Sequence, residues 1–101
     1  MSKEALKKAI EQAMAKIEHP EKIARVRLFG SHLHGTAKSD SDIDLIVDFN
    51  EKSSIGLFEF VDIQNTLKAT LNKNVDLVTA DGLSKYIRDK VLAEAETLYE
   101  R

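Results

Sequence analysis

The 101-residue chain contains no cysteine. That absence excludes a disulfide framework, a thiolate zinc site and a cysteine nucleophile, and it argues against redox chemistry. Long apolar runs are also missing. No stretch approaches the roughly 20 residues that span a bilayer, and the N-terminal MSKEALKKAIEQ is charged and amphipathic, without the apolar region of a signal peptide. A cytoplasmic protein with no membrane partner is expected. Nor is there a cationic excess: 15 Lys plus Arg stand against 17 Asp plus Glu, a net charge of −2, so a protein that coats duplex nucleic acid through phosphate contacts is not expected. Internal repeats, low-complexity tracts and interdomain linkers are absent as well. With 43% hydrophobic and 32% charged residues, the chain reads as one domain, residues 1–101, with a modest core. The bulk of any large substrate then lies outside that core.

What charge there is clusters. Residues 1–28 hold seven basic and four acidic side chains, residues 29–66 two and seven, and residues 67–101 six and six. The middle segment is therefore locally at −5, which is electrostatically costly unless the carboxylates are solvated, paired or neutralised by a cation.

Periodicity organises the rest. Ser2 precedes Leu6, Ala9, Ile10, Ala13, Met14 and Ile17, the spacing of an amphipathic helix that runs to Pro20. A strand is expected over 23–29, where Val26 and Leu28 alternate with Arg25 and Arg27, and Gly30 ends it. The Gly/Ser/Thr-rich segment 30–40 reads as a loop with room for one helical turn. A second strand is expected over 42–49, with Ile43, Leu45, Val47 and Phe49 opposite Asp42, Asp44, Ile46 and Asp48. Leu57 to Leu71 repeats with helical spacing, 75–79 makes a short strand interrupted by Asp76, and a last helix from Ser84 carries Ile87, Val91, Leu92, Ala95 and Leu98. The fold class is α+β, in α/β layers: a small mixed three-stranded sheet packed by helices, in the order αβ(α)βαβα. Leu57, Phe58 and Phe60 lie on consecutive helical faces and cannot all enter one small core, which makes that helix and the last one the expected docking elements.

The sharpest local feature is Gly30-Ser31, ten residues, then Asp42-Ile43-Asp44. Strand geometry puts Asp42 and Asp44 on one face about 7 Å apart. Such a pair can converge on one or two divalent cations, because Mg²⁺ prefers oxygen ligands and commonly completes its shell with substrate phosphates. Asp76 begins another strand and adds a third carboxylate if the two strands are adjacent. Gly30 lets the backbone approach a ligand, and the amides and hydroxyl that follow at Ser31 can hold an anion.

LFGSHLHGTAKSDSDIDLIVDF, residues 28–49, resembles the signature of the minimal nucleotidyltransferases (MNT) of the DNA polymerase beta superfamily. The resemblance continues through SIGLFEFVDIQNTL, NVDLVTADGL and IRDKVLAEAETLYE and so covers nearly the whole chain. It implies the nucleotidyltransferase fold and an antitoxin, partnered by an all-helical HEPN ribonuclease toxin, that transfers AMP from ATP to a tyrosine of that toxin. It also implies that Asp42, Asp44 and Asp76 are catalytic and hold two Mg²⁺ ions, with Asp76 helping to deprotonate the attacking hydroxyl, and that Gly30 and Ser31 grip the β and γ phosphates.

Members of this family commonly carry arginine in the loop after Gly-Ser, where this chain has His32 and His34. Histidine is mostly uncharged near neutral pH and lacks the guanidinium fork, so His34 is assigned to nucleotide binding as a weaker donor that protonation assists. Two other functions stay open. One is a stoichiometric antitoxin that neutralises its partner by occlusion, with weak or vestigial catalysis. The other is a nucleotidyltransferase acting on a nucleic-acid end or a small alcohol, disfavoured because the core leaves no residues to hold such a substrate.

Overall fold

The computed structural model describes residues 2–101. Ser2 opens α1 (Lys3–Met14) by accepting a hydrogen bond from the Ala5 amide on Oγ at 3.1 Å, which satisfies an N–H that the first turn leaves free. Leu6, Ile10, Ala13 and Met14 form its buried stripe. The helix ends at Met14 rather than at Pro20. Proline disfavours helical backbone in the residue before it, and His19 is accordingly non-helical (φ −126°, ψ 68°), so the chain unwinds ahead of the ring after a last turn that carries buried Ile17.

Four strands, β1 (Ile23–Phe29), β2 (Ile43–Phe49), β3 (Val75–Val78) and β4 (Glu96–Glu100), make one mixed sheet in the order β3-β2-β1-β4. β1 is antiparallel to β2 and β4, whereas β2 and β3 are parallel and are joined by the crossover helix α3 (Leu57–Leu71). Alternation along the strands sends Val26, Leu28, Ile43, Leu45, Val47, Val75, Leu77 and Leu98 into one core with Ile10 of α1 and Ile63, Leu67 and Leu71 of α3. This is the α+β architecture expected, in layers, with one strand more than the three read from the sequence.

The extra strand replaces the end of the last helix. α4 is only Arg88–Glu94; Ala95 turns extended (φ −59°, ψ 139°), and β4 then pairs with β1. Without β4 the outer edge of β1 would expose a row of unpaired backbone N–H and C=O groups. Covering that edge also buries Leu98.

The other face of the sheet is lightly covered. Ile46 and Leu83 are buried there, outside the main core. The turn Ala80–Gly82 after β3 is held by Arg88, whose guanidinium donates to the carbonyls of Ala80 (3.0 Å), Asp81 (3.1 Å) and Leu83 (2.9 Å). Asp48 is clamped between Arg25 (3.0 Å) and Arg27 (3.0 Å), so it serves the β1–β2 pairing. Phe49 and Phe60 meet edge-on against the core, while Phe58 is 85% exposed. Among the described residues no helix is long and apolar enough to cross a membrane.

Leu98→Ala is expected to cost about 2–4 kcal/mol by urea unfolding, the range for truncating a packed leucine, because Leu98 lies 5% exposed in the core. Thr97→Ala, on the exposed side of the same strand, is expected to change stability by less than about 0.5 kcal/mol.

Candidate active site

Asp44 on β2 stands in register with Asp76 on β3. Neighbours in register share a face, and since Ile43 and Leu45 point into the core, both carboxylates project from the opposite side. Asp42 lies one residue before β2, on the same alternation as Asp44. Two hydrogen bonds fix this end of the sheet: the Ile43 amide donates to the Asn74 carbonyl (2.9 Å), and Gln64 of α3 donates from Nε2 to the Val75 carbonyl (3.0 Å), next to Asp76. The adjacency on which the third carboxylate depended is therefore present. Asp42 and Asp76 are exposed and Asp44 is half-buried. Burial, then the negative charges of Asp76 and Asp42, raise the Asp44 carboxyl above its ordinary pKa, while His32 pulls it back.

Gly30 meets this cluster from β1. Its backbone (φ 77°, ψ −154°) is in a region open essentially to glycine alone, and a Cβ there would stand 2.2 Å from Oδ2 of Asp44. The absent side chain is what allows Asp44 to lie against the chain as it turns into α2 (Ser31–His34). Ser31, half-buried, is the first residue of that turn, and the amides of Leu33 and His34 return to the Gly30 carbonyl at 3.1 and 3.2 Å. Gly35, left-handed at φ 73°, ends it.

The two histidines face different ways. His32 Nε2 sits 3.3 Å from the Ser41 carbonyl, on the stretch leading to Asp42. His34 Nε2 instead pairs with Glu94 of α4 at 3.1 Å, so a phosphate reaching His34 has to displace that carboxylate.

All-oxygen donors with one carboxylate strained by its neighbours' charge are the chemistry that suits Mg²⁺. Among the described residues no three His, Cys, Asp or Glu side chains are drawn together closely enough to form a ready-made metal site. Mg²⁺ is usually held by one or two carboxylates together with substrate phosphates rather than by an all-protein cage, so the donor set fits that ion. Gln64 and Glu94 were not singled out from the sequence for this site. Only Gln64 carried a signal there, a polar residue on the apolar stripe of α3.

Residues 10–101 match the family described as polymerase beta, nucleotidyltransferase. The chain belongs to that family. This nucleotidyltransferase is 40% identical over 72 residues, 71% of either chain, to the protein adenylyltransferase MntA of Thermococcus cleftensis. Its fold superposes on a toxin–antitoxin crystal structure with AMP-PNP at a TM-score of 0.73 and 23% identity, covering 94% of this chain and 73% of the other. A second neighbour is a tri-AMPylated HEPN toxin from Shewanella oneidensis in complex with an MNT antitoxin, at a TM-score of 0.67 and 19% identity over 99% of this chain and 74% of that one. Both likenesses concern the fold.

Gly30→Ala is expected to cost about 3 kcal/mol by urea unfolding, from backbone strain plus the clash with Asp44. In an Asp44→Ala background the carboxylate clash is gone, while the strain and a tight 3.2 Å contact with the Cβ at position 44 remain, so the cost falls by about 1 kcal/mol. A pH effect follows from Asp44. Because its folded pKa is raised, this carboxyl contributes stability that is complete below its unfolded pKa of about 3.9 and is lost as pH rises through the higher folded value. Asp44→Asn is thus expected to raise the metal-free Tm at pH 7 by about 1–3 °C, a small shift because the group is partly solvated, and the advantage should vanish near pH 3.5.

Proposed function

We propose that this nucleotidyltransferase is an antitoxin that transfers AMP from ATP to a tyrosine hydroxyl of a helical HEPN ribonuclease toxin and so silences it. The reading takes residues 1–101 as one minimal catalytic domain acting in the cytoplasm. The observation that carries it is the Asp44–Asp76 register pair beside Asp42 and the side-chain-free Gly30 turn, in a chain 40% identical to a protein adenylyltransferase. The complexes with a toxin, one with AMP-PNP and one with an AMPylated HEPN toxin, support the donor and the acceptor.

In this reading Asp42, Asp44 and Asp76 would hold Mg²⁺, two ions in the full assembly, and the metal would supply charge neutralisation for the phosphates and for the ionised hydroxyl. Ser31 Oγ and the Gly30–Ser31 backbone orient the β and γ phosphates. His34 joins them only by releasing Glu94. The tyrosine oxygen attacks the α-phosphorus in line, the bond from that phosphorus to the β-phosphate bridging oxygen breaks, and pyrophosphate departs with the electron pair. The tyrosine proton passes to the Asp76 carboxylate, which is exposed and can return it to water. Asp48 stays with Arg25 and Arg27 and takes no part.

The N-terminal end of α3, with exposed Leu57 and Phe58, follows the far end of β2, roughly 20 Å along the strand from Asp42. The acceptor therefore approaches from the opposite end of the sheet, at α2 and the start of β3.

Incubation with the neighbouring gene product and MgATP, followed by intact-mass measurement, is expected to show AMP increments on the partner. Asp42→Asn and Asp44→Asn should each slow the transfer about a thousandfold, the several kcal/mol that charge stabilisation supplies. An unmodified partner, inhibited equally by wild type and Asp42→Asn, would establish neutralisation by occlusion instead.

A further inference from the structure

Beside the carboxylates lies a cavity of about 300 Å³ lined by His32, Gly35, Ala37, Lys38, Ser39 and Lys73. Its charge opposes that of its surroundings. The segment 29–66 has only two basic residues against seven acidic ones, and Lys38 is one of the two. Lys73 comes from a different part of the chain, the turn between α3 and β3. Among the described residues neither ammonium is paired with a carboxylate: Lys73 Nζ donates to the Ser39 carbonyl at 3.2 Å, a neutral acceptor, and no ion pair involves Lys38.

The walls are tied together. His32 Nε2 meets the Ser41 carbonyl, the Lys38 amide donates to Ser41 Oγ at 2.8 Å, and the Ser41 amide donates to the Lys38 carbonyl at 3.0 Å. This turn runs directly into Asp42, and the Asn74 carbonyl, next to Lys73, accepts from the Ile43 amide. His32, which lines the cavity, is also close enough to Asp44 to favour its ionised form. One side of the site thus gathers carboxylates and the adjoining side gathers cations.

We propose that this cavity is a diphosphate subsite, in which Lys38 and Lys73 hold the β and γ phosphates of the nucleotide and then the pyrophosphate that forms from them. The proposal rests on the AMP-transfer reading above and adds two positioning residues to it. Two ammonium groups supply fixed positive charge for a phosphate anion.

Calorimetric titration of the whole protein with sodium pyrophosphate, with ATP and with AMP, each with MgCl₂, tests this. Lys38→Gln and Lys73→Gln should each weaken pyrophosphate and ATP by about tenfold, the worth of one charge-assisted contact, with AMP unchanged. Lys73→Arg should retain binding. Because Lys73 also bonds Ser39, thermal unfolding of each variant accompanies the titrations, and Lys38→Gln, whose ammonium holds nothing else among the described residues, decides if Lys73→Gln is unstable. Weakening of pyrophosphate alone would confine the subsite to the released product and still uphold it. Undiminished pyrophosphate and ATP binding in both variants would overturn it, as would equal weakening of AMP and ATP. Pyrophosphate binding needs no transfer activity, so its loss in the lysine variants of a protein that modifies no partner would leave the subsite standing and remove the proposed function.

Discussion

The site depends on the parallel pairing of β2 with β3. That register sets Asp44 beside Asp76, two like charges that an isolated fold would keep apart. Packing enforces the proximity, because the same strands place Ile43, Leu45, Val75 and Leu77 in the core, and a slip of one residue would turn the apolar pair of the strand that moved outward. The apolar face thus supplies the free energy that holds the acidic face in place. Gly30 completes the constraint from β1, since any larger residue would push Asp44 out of the space it occupies.

Charge is distributed to match. Asp48, the other acid of β2, is neutralised by Arg25 and Arg27 on the neighbouring strand, and Glu94 pairs with His34 at 3.1 Å. These pairs leave Asp42, Asp44 and Asp76 as the local concentration of uncompensated negative charge, with Lys38 and Lys73 on its flank. In the proposed function, a triphosphate carrying a divalent cation would complement both halves at once, carboxylates to the metal and ammonium groups to the phosphate tail.

Much of this was legible in the residue order. Alternation marked β1 and β2, and the Gly-Ser and Asp-x-Asp motifs sit at strand ends, where strand periodicity alone fixes which side chains share a face. β4 was missed for a physical reason: Leu92, Ala95 and Leu98 are spaced as a helix spaces them, and only the open edge of β1 pulls 96–100 into a strand. The helix-like signal is local and the competing interaction is tertiary. Arg88 ties three carbonyls of the turn after β3, contacts that no local sequence pattern announces. His34 gave no sign of its engagement with Glu94, sixty residues further along the chain. The lysine-lined cavity likewise joins two loops that no short motif connects.

The central claim is that Asp42, Asp44 and Asp76 form a cation site that acts with the Gly30 turn. Paramagnetic broadening of backbone amide resonances by substoichiometric Mn²⁺ in the presence of a non-hydrolysable ATP analogue maps it directly, Mn²⁺ sharing the preference of Mg²⁺ for oxygen ligands. Broadening centred on residues 30–32, 42–44 and 76, and abolished in Asp44→Asn, is the result expected. Broadening centred on another acidic stretch, such as Asp81 and Asp89, or unchanged in Asp44→Asn, would contradict it.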